Sequence, residues 1–199
     1  MKSPRGSRRI WWACVVLAGT AIIGGAAALS SSDDDKAAEK SAGPGPGPEQ
    51  ARATGAGKRA AAVELPNIRE GGPAVSLAAL SGKPVVMNFF ASWCIPCAKE
   101  LPAFQAVAEE TKGEVAFIGI NHQDNREAGQ ELLDKTGVRF AAGYDPKGEV
   151  ARAFGLRGMP TTVFISADGR VLARLNGEMS AQELREAMEE HFGRATRAS

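Results

Sequence analysis

Cys94 and Cys97, with two residues between them, stand at the seam between an apolar run and a helical stretch, and this junction constrains the chain more than any other feature. Val85-Val86-Met87-Asn88-Phe89-Phe90 is a short apolar run of the buried-strand kind. From Pro96 to about Thr111, Leu101, Phe104, Val107 and Ala108 recur at three- and four-residue spacing, which predicts a helix with one apolar face. The cysteine pair is a poor staple, because the entropic gain from a disulfide grows with the loop it closes and this loop is very short. Only one further cysteine, Cys14, occurs in the 199 residues, so a disulfide framework does not fit either. The pair is therefore expected to be used chemically.

The surrounding pattern extends the strand–helix start into a domain. Val115–Ile120 reads as a second strand and Asp124–Lys135 as a polar helix with Leu132 and Leu133 turned inward. Phe140–Tyr144 reads as a short strand and Lys147–Phe154 as a short helix. Thr161–Ile165 and Arg170–Leu175 flank Ala167-Asp168-Gly169, a hairpin signal because Asp-Gly tolerates positive φ. Ser180, with Glu183 three residues on, reads as a capping box for a last helix whose inner face carries Leu184, Ala187, Met188 and His191. The expected class is α/β, a central mixed sheet flanked by helices over residues 63–193, with 194–199 as a tail.

The N-terminal third has a different character. Ile10–Leu29 is free of charge, about the length needed to span a hydrocarbon core. Lys2, Arg5, Arg8 and Arg9 precede it and Asp33, Asp34 and Asp35 follow, so residues 1–9 are expected inside and everything after residue 30 outside. A retained single-pass signal-anchor is favoured; the alternatives are a signal peptide cleaved near Ala26-Ala27-Ala28 and a twin-arginine signal at Arg8-Arg9. Each puts the domain outside the cytoplasm. Residues 30–62, with Gly43-Pro44-Gly45-Pro46-Gly47-Pro48, read as a disordered Gly/Pro/Ala-rich linker. The net charge of +1 rests on the four basic residues of the N-terminus and gives no reason to expect a nucleic-acid partner.

A thiol reacts as its thiolate, and a helix N-terminus favours negative charge. Cys94 is placed at that N-terminus, Pro96 suits the first turn, and Cys97 faces the same side, so Cys94 is assigned as nucleophile and Cys97 as resolving thiol. A zinc site would want a second pair of ligands, and the only histidines, His122 and His191, are distant in sequence. A peroxidase pattern would want Pro at Met87 and Thr at Ala91. A non-catalytic copper or haem chaperone using the thiols as ligands stands as the alternative of another class.

The segment Asn88-Phe89-Phe90-Ala91-Ser92-Trp93-Cys94-Ile95-Pro96-Cys97-Ala98-Lys99-Glu100-Leu101-Pro102 resembles the active-site segment of membrane-anchored thioredoxin-like thiol–disulfide oxidoreductases of the TlpA/ResA type. Gly158-Met159-Pro160-Thr161-Thr162 and the Asp168-Gly169 turn resemble that family's second signature, and Gly82-Lys83-Pro84 also fits. The resemblance covers residues 63–192 and implies a thioredoxin-like fold. It implies that Pro160 is a cis-proline facing the cysteines and that Met159 offers its backbone to an extended client. It implies too that Glu100 is buried near the disulfide, where a carboxyl can exchange a proton with the resolving thiol. Trp93 would shield and shape the site, and Pro102 would be a structural helix-kink residue.

Asn88 stands where cytosolic-type thioredoxins carry a buried Asp, and an amide cannot act as a base, which moves proton handling towards Glu100. Ile95 replaces the acidic residue of some cytochrome-maturation members. No cofactor and no metal are expected. The expected partners are client proteins with cysteine thiols or disulfides, apocytochrome c among them, and a membrane redox partner that supplies electrons. The favoured process is reductive, as in cytochrome c biogenesis; an oxidase or isomerase role would use the same residues.

Overall fold

The computed structural model describes residues 57–197, the last four as backbone alone. The basic segment 1–9, the apolar run 10–29 and most of the 30–62 linker lie outside the described residues. Among the described residues no helix is long and apolar enough to cross a membrane.

The chain runs β1 (Glu64–Leu65), β2 (Val75–Ser76), β3 (Val85–Phe90), α1 (Ile95–Glu110), β4 (Ala116–His122), α2 (Arg126–Lys135), β5 (Ala141–Asp145), α3 (Glu149–Ala153), β6 (Thr161–Ile165), β7 (Val171–Asn176) and α4 (Ala181–Arg197). Five strands form one mixed sheet in the order β5-β4-β3-β6-β7. β3, β4 and β5 run parallel, whereas β6 is antiparallel to β3 and to β7. This is the thioredoxin-like arrangement of a central mixed sheet flanked by helices. β1 and β2 pair separately as a short antiparallel ribbon.

β3 is the axis of the domain, and all six of its residues are buried. Successive side chains of a strand point to opposite faces. Val85, Met87 and Phe89 accordingly join a cluster with Val150 and Ala151 of α3 and with Phe154, its C-cap. Val86 joins Phe104 and Val107 of α1 and Leu184, Ala187 and Phe192 of α4. Asn88 shares the α1 face with Val86 and Phe90, and this places a polar side chain in the core. Phe89, Phe90, Phe104 and Phe164 are fully buried, each contributing roughly 1.5–3 kcal/mol from burial. Ser180 and Glu183 form the reciprocal bonds of a capping box: the Ser180 N–H donates to Glu183 Oε2 at 2.8 Å, and the Glu183 N–H to Ser180 Oγ at 3.3 Å.

The structure departs from the sequence pattern in several places; α4, for one, runs on to Arg197, into the stretch 194–199 expected as a tail. Residues 57–60, expected within the linker, pair with the hairpin: the Gly57 N–H donates to the Val171 carbonyl at 2.7 Å, and the Ala60 N–H to the Gly169 carbonyl at 2.8 Å. Backbone bonds carry that contact, and they leave no side-chain periodicity to read. β4 runs on to His122, because its backbone continues the ladder with β5 as far as Asp145. The polar helix begins at Arg126 and not at Asp124; Asn125 is its N-cap, with Oδ1 accepting from the Ala128 N–H at 2.9 Å.

Candidate active site

The end of β3 turns directly into the site. The Cys94 N–H donates to the Ala91 carbonyl at 3.1 Å, closing a turn that ends the strand. Cys94 is the N-cap of α1, and its Sγ accepts from the Cys97 N–H at 3.3 Å. Its extended backbone turns the chain into the helix, and Pro96 lies in the first turn, where a missing N–H costs little. Cys94 and Cys97 are joined by a disulfide. Cys97 is fully buried and Cys94 is slightly exposed, while Trp93 and Ile95 on either side are 61% and 72% exposed. Cys94 is thus the less buried of the two, framed by two apolar side chains in solvent. Trp93 is a lip beside the pair and not a packed shield; its indole N–H reaches the Gln123 carbonyl at 3.4 Å.

Across from the pair, the Met159–Pro160 peptide is cis. Met159 packs against the cluster that contains both cysteines. The Pro160 carbonyl accepts from the Gly177 N–H at 2.9 Å, and Thr161 Oγ1 donates to the Gly158 carbonyl at 2.7 Å, so both sides of the proline are held.

Glu100 lies one turn beyond Cys97 on the same face of α1 and is only 1% exposed. Its Oε1 accepts from Asn88 Nδ2 at 2.8 Å and its Oε2 from the Met179 N–H at 3.0 Å. Asn88 Nδ2 also reaches Thr162 Oγ1 at 3.3 Å. Loss of water pushes the Glu100 carboxyl up to about 7, against the opposing pull of the Asn88 and Met179 bonds, with the charge of Glu178 adding to the rise. Asn88 Oδ1 is buried without a hydrogen-bond partner. It is the acceptor that a protonated Glu100 could use if the amide turned. A carboxyl that changes charge near neutrality beside a buried thiol suits proton transfer during exchange.

The structure therefore joins Cys94 to Cys97, packs Met159 against the cluster that holds both, places a cis bond at Met159–Pro160 and buries Glu100 one turn further along α1, with Trp93 exposed beside Cys94. The sequence pattern missed Asp124. Expected inside a helix, it sits before one, and its carboxylate holds the segment ahead of Cys94. The Ser92 N–H and Ser92 Oγ each donate to it at 2.6 Å, Asn121 Nδ2 at 2.8 Å and the Asn125 N–H at 2.9 Å. The adjacent Asp124-Asn125, either of which could cap the helix, was the one available signal.

Comparison with known proteins agrees with this geometry. A family model described as Redoxin matches residues 55–190. The chain is 34% identical over 127 residues to the thiol:disulfide interchange protein CycY of Rhizobium leguminosarum bv. viciae, covering 61% of this chain and 67% of that protein. It is 32% identical over 119 residues to the thiol-disulfide oxidoreductase ResA of Halalkalibacterium halodurans, covering 59% and 68%. Among solved structures it is similar to a secreted Mycobacterium tuberculosis disulfide oxidoreductase homologous to E. coli DsbE. That match has a TM-score of 0.59 and 28% identity, over 64% of this chain and 95% of that one.

Proposed function

The chain belongs to the redoxin family as a ResA-type thiol–disulfide oxidoreductase, and we propose that it works outside the cytoplasm as a reductant of client-protein disulfides, apocytochrome c among them. The observation that carries this reading is the buried Glu100 one helical turn from a buried Cys97, with Cys94 the less buried cysteine.

In the reduced protein the Cys94 thiolate attacks a client disulfide. A Cys94–client disulfide forms, and the departing client sulfur takes a proton. The Glu100 carboxylate accepts the Cys97 proton, and the Cys97 thiolate then attacks Cys94 Sγ. The Cys94–Cys97 disulfide forms and the second client thiol leaves, so two electrons have passed to the client. The cis Met159–Pro160 segment aligns the client strand beside Cys94, and Trp93 and Ile95 offer it apolar contact. A membrane redox partner returns two electrons to the pair. The apolar run 10–29, by its length and flanking charges, supports tethering at the membrane with the domain on the outer side.

The test is the equilibrium reduction potential of the pair. A value of about −270 mV is expected of a reductant, and one of about −120 mV would make the protein an oxidant of exported thiols.

A further inference from the structure

The Cys94 segment is held from a direction that the exchange mechanism does not use. Both oxygens of Asp124 are engaged, and two of the four donors belong to Ser92, the N–H and the hydroxyl, both at 2.6 Å. The other two, from Asn121 Nδ2 and the Asn125 N–H, tie the carboxylate to β4 and to the cap of α2. Tyr144 Oη donates to the Asp124 carbonyl at 3.1 Å and fixes the backbone as well. Gln123, next in the chain, has φ of +46°, a left-handed conformation that costs energy in a non-glycine residue. It turns its carbonyl to the Trp93 indole. The 123–124 turn thus presents acceptors to two consecutive residues, Ser92 and Trp93, immediately before the reactive sulfur.

We propose that Asp124 is a positioning residue for Cys94: through Ser92 it holds the 91–94 turn so that Cys94 stays the N-cap of α1 with its sulfur on the Cys97 N–H. The proposal rests on Cys94 being the attacking thiol. Its geometry is distinct from the proton path, since Glu100 lies on the far side of Cys97 along α1. Three acidic groups flank this part of the fold: Glu100 on α1, Glu178 of the β7–α4 loop beside it, and Asp124 on the β4–α2 turn. A carboxylate that acted on Cys94 by its field alone would hinder ionisation, so its replacement by an amide would ease it. A carboxylate that acts by position does the opposite. Without it the turn loosens, the thiolate loses its N–H donor, and ionisation becomes harder.

The two roles are separated by alkylating the reduced full-length protein with iodoacetamide from pH 4 to 10. Tandem mass spectrometry reads the modification at Cys94 apart from Cys97 and Cys14. Ser92→Ala, which changes no charge, and Asp124→Asn should each raise the midpoint of Cys94 reactivity by about half a unit to one unit. Alkylation at pH 7 should slow by roughly threefold, because higher intrinsic nucleophilicity offsets part of the lost thiolate. Ser92→Thr, which keeps the hydroxyl, should restore the native midpoint. An unchanged midpoint in Ser92→Ala, or a lower one in Asp124→Asn, overturns the proposal. If Asp124→Asn does not fold, the Ser92 pair decides alone. No client is needed, so failure of the reductive role leaves this result readable.

Discussion

The first turns of α1 and its last turn carry the same residue type under opposite conditions. Glu100 is buried against Asn88 and the Met179 N–H, and its carboxyl is pushed up to about 7. Glu109 and Glu110 lie on the solvent side. Hydrogen bonds hold both below the usual carboxylate range, from Gln105 and Arg139 to Glu109 and from Arg185 to Glu110. Water and a guanidinium favour the charged form of those two. Loss of water, with a smaller push from Glu178, makes the third a group that can trade a proton at neutrality. The contrast teaches that depth sets the carboxyls of α1 apart, with the Asn88 amide partly offsetting the cost of a charge on the buried one.

The comparison can be broken most sharply at its N-terminal end. Cys97→Ala should leave Cys94 able to form mixed disulfides but unable to release them, so clients accumulate covalently bound on a non-reducing gel. If Cys94→Ala traps clients and Cys97→Ala does not, the roles of the two sulfurs are reversed.

The next largest effect concerns stability. Between pH 4.5 and about 7 the folded chain holds a proton on Glu100 that the unfolded chain has already released. Its contribution is therefore full below pH 4.5 and is lost as pH rises through about 7. Glu100→Gln removes the buried charge and supplies an amide that can face Asn88 Oδ1. The oxidised variant should be more stable than the parent at pH 8 by on the order of 1–3 kcal/mol, with the gap closing towards pH 5. Urea unfolding at the two pH values reads this directly, and a gap independent of pH would contradict it.

The smallest effect is expected at the other end. Glu110→Gln breaks an exposed pair with Arg185, whose bonds are 2.7 and 2.8 Å. Exposed pairs contribute little, so the thermal midpoint should move by about 2 °C or less and the pH dependence of exchange should not change.

Much of the site was legible because its signals are local. An apolar run ending in Cys-Ile-Pro-Cys places a thiol at a helix start by chain order alone, and Thr-Thr-Val-Phe-Ile marks a strand, whereas the role of Pro160 came only from the resemblance to the family. The burial of Glu100 could not be read from α1, because the groups that close over it, Asn88 and Met179, lie twelve residues before it and seventy-nine after it. Asp124 was hidden for a related reason. Its partner Ser92 is thirty-two residues away, and a polar residue ahead of a polar helix looks like the helix. β1 and β2, two residues each, are too short to show a period.

The central claim, that a buried carboxyl serves the resolving thiol, is tested most directly by single-turnover release of a client from a preformed Cys94 mixed disulfide, followed against pH. The parent protein should show an inflection near pH 7 that Glu100→Gln lacks, with slower release in the variant above that pH. Superimposable profiles for the two proteins would remove Glu100 from the reaction and contradict the account.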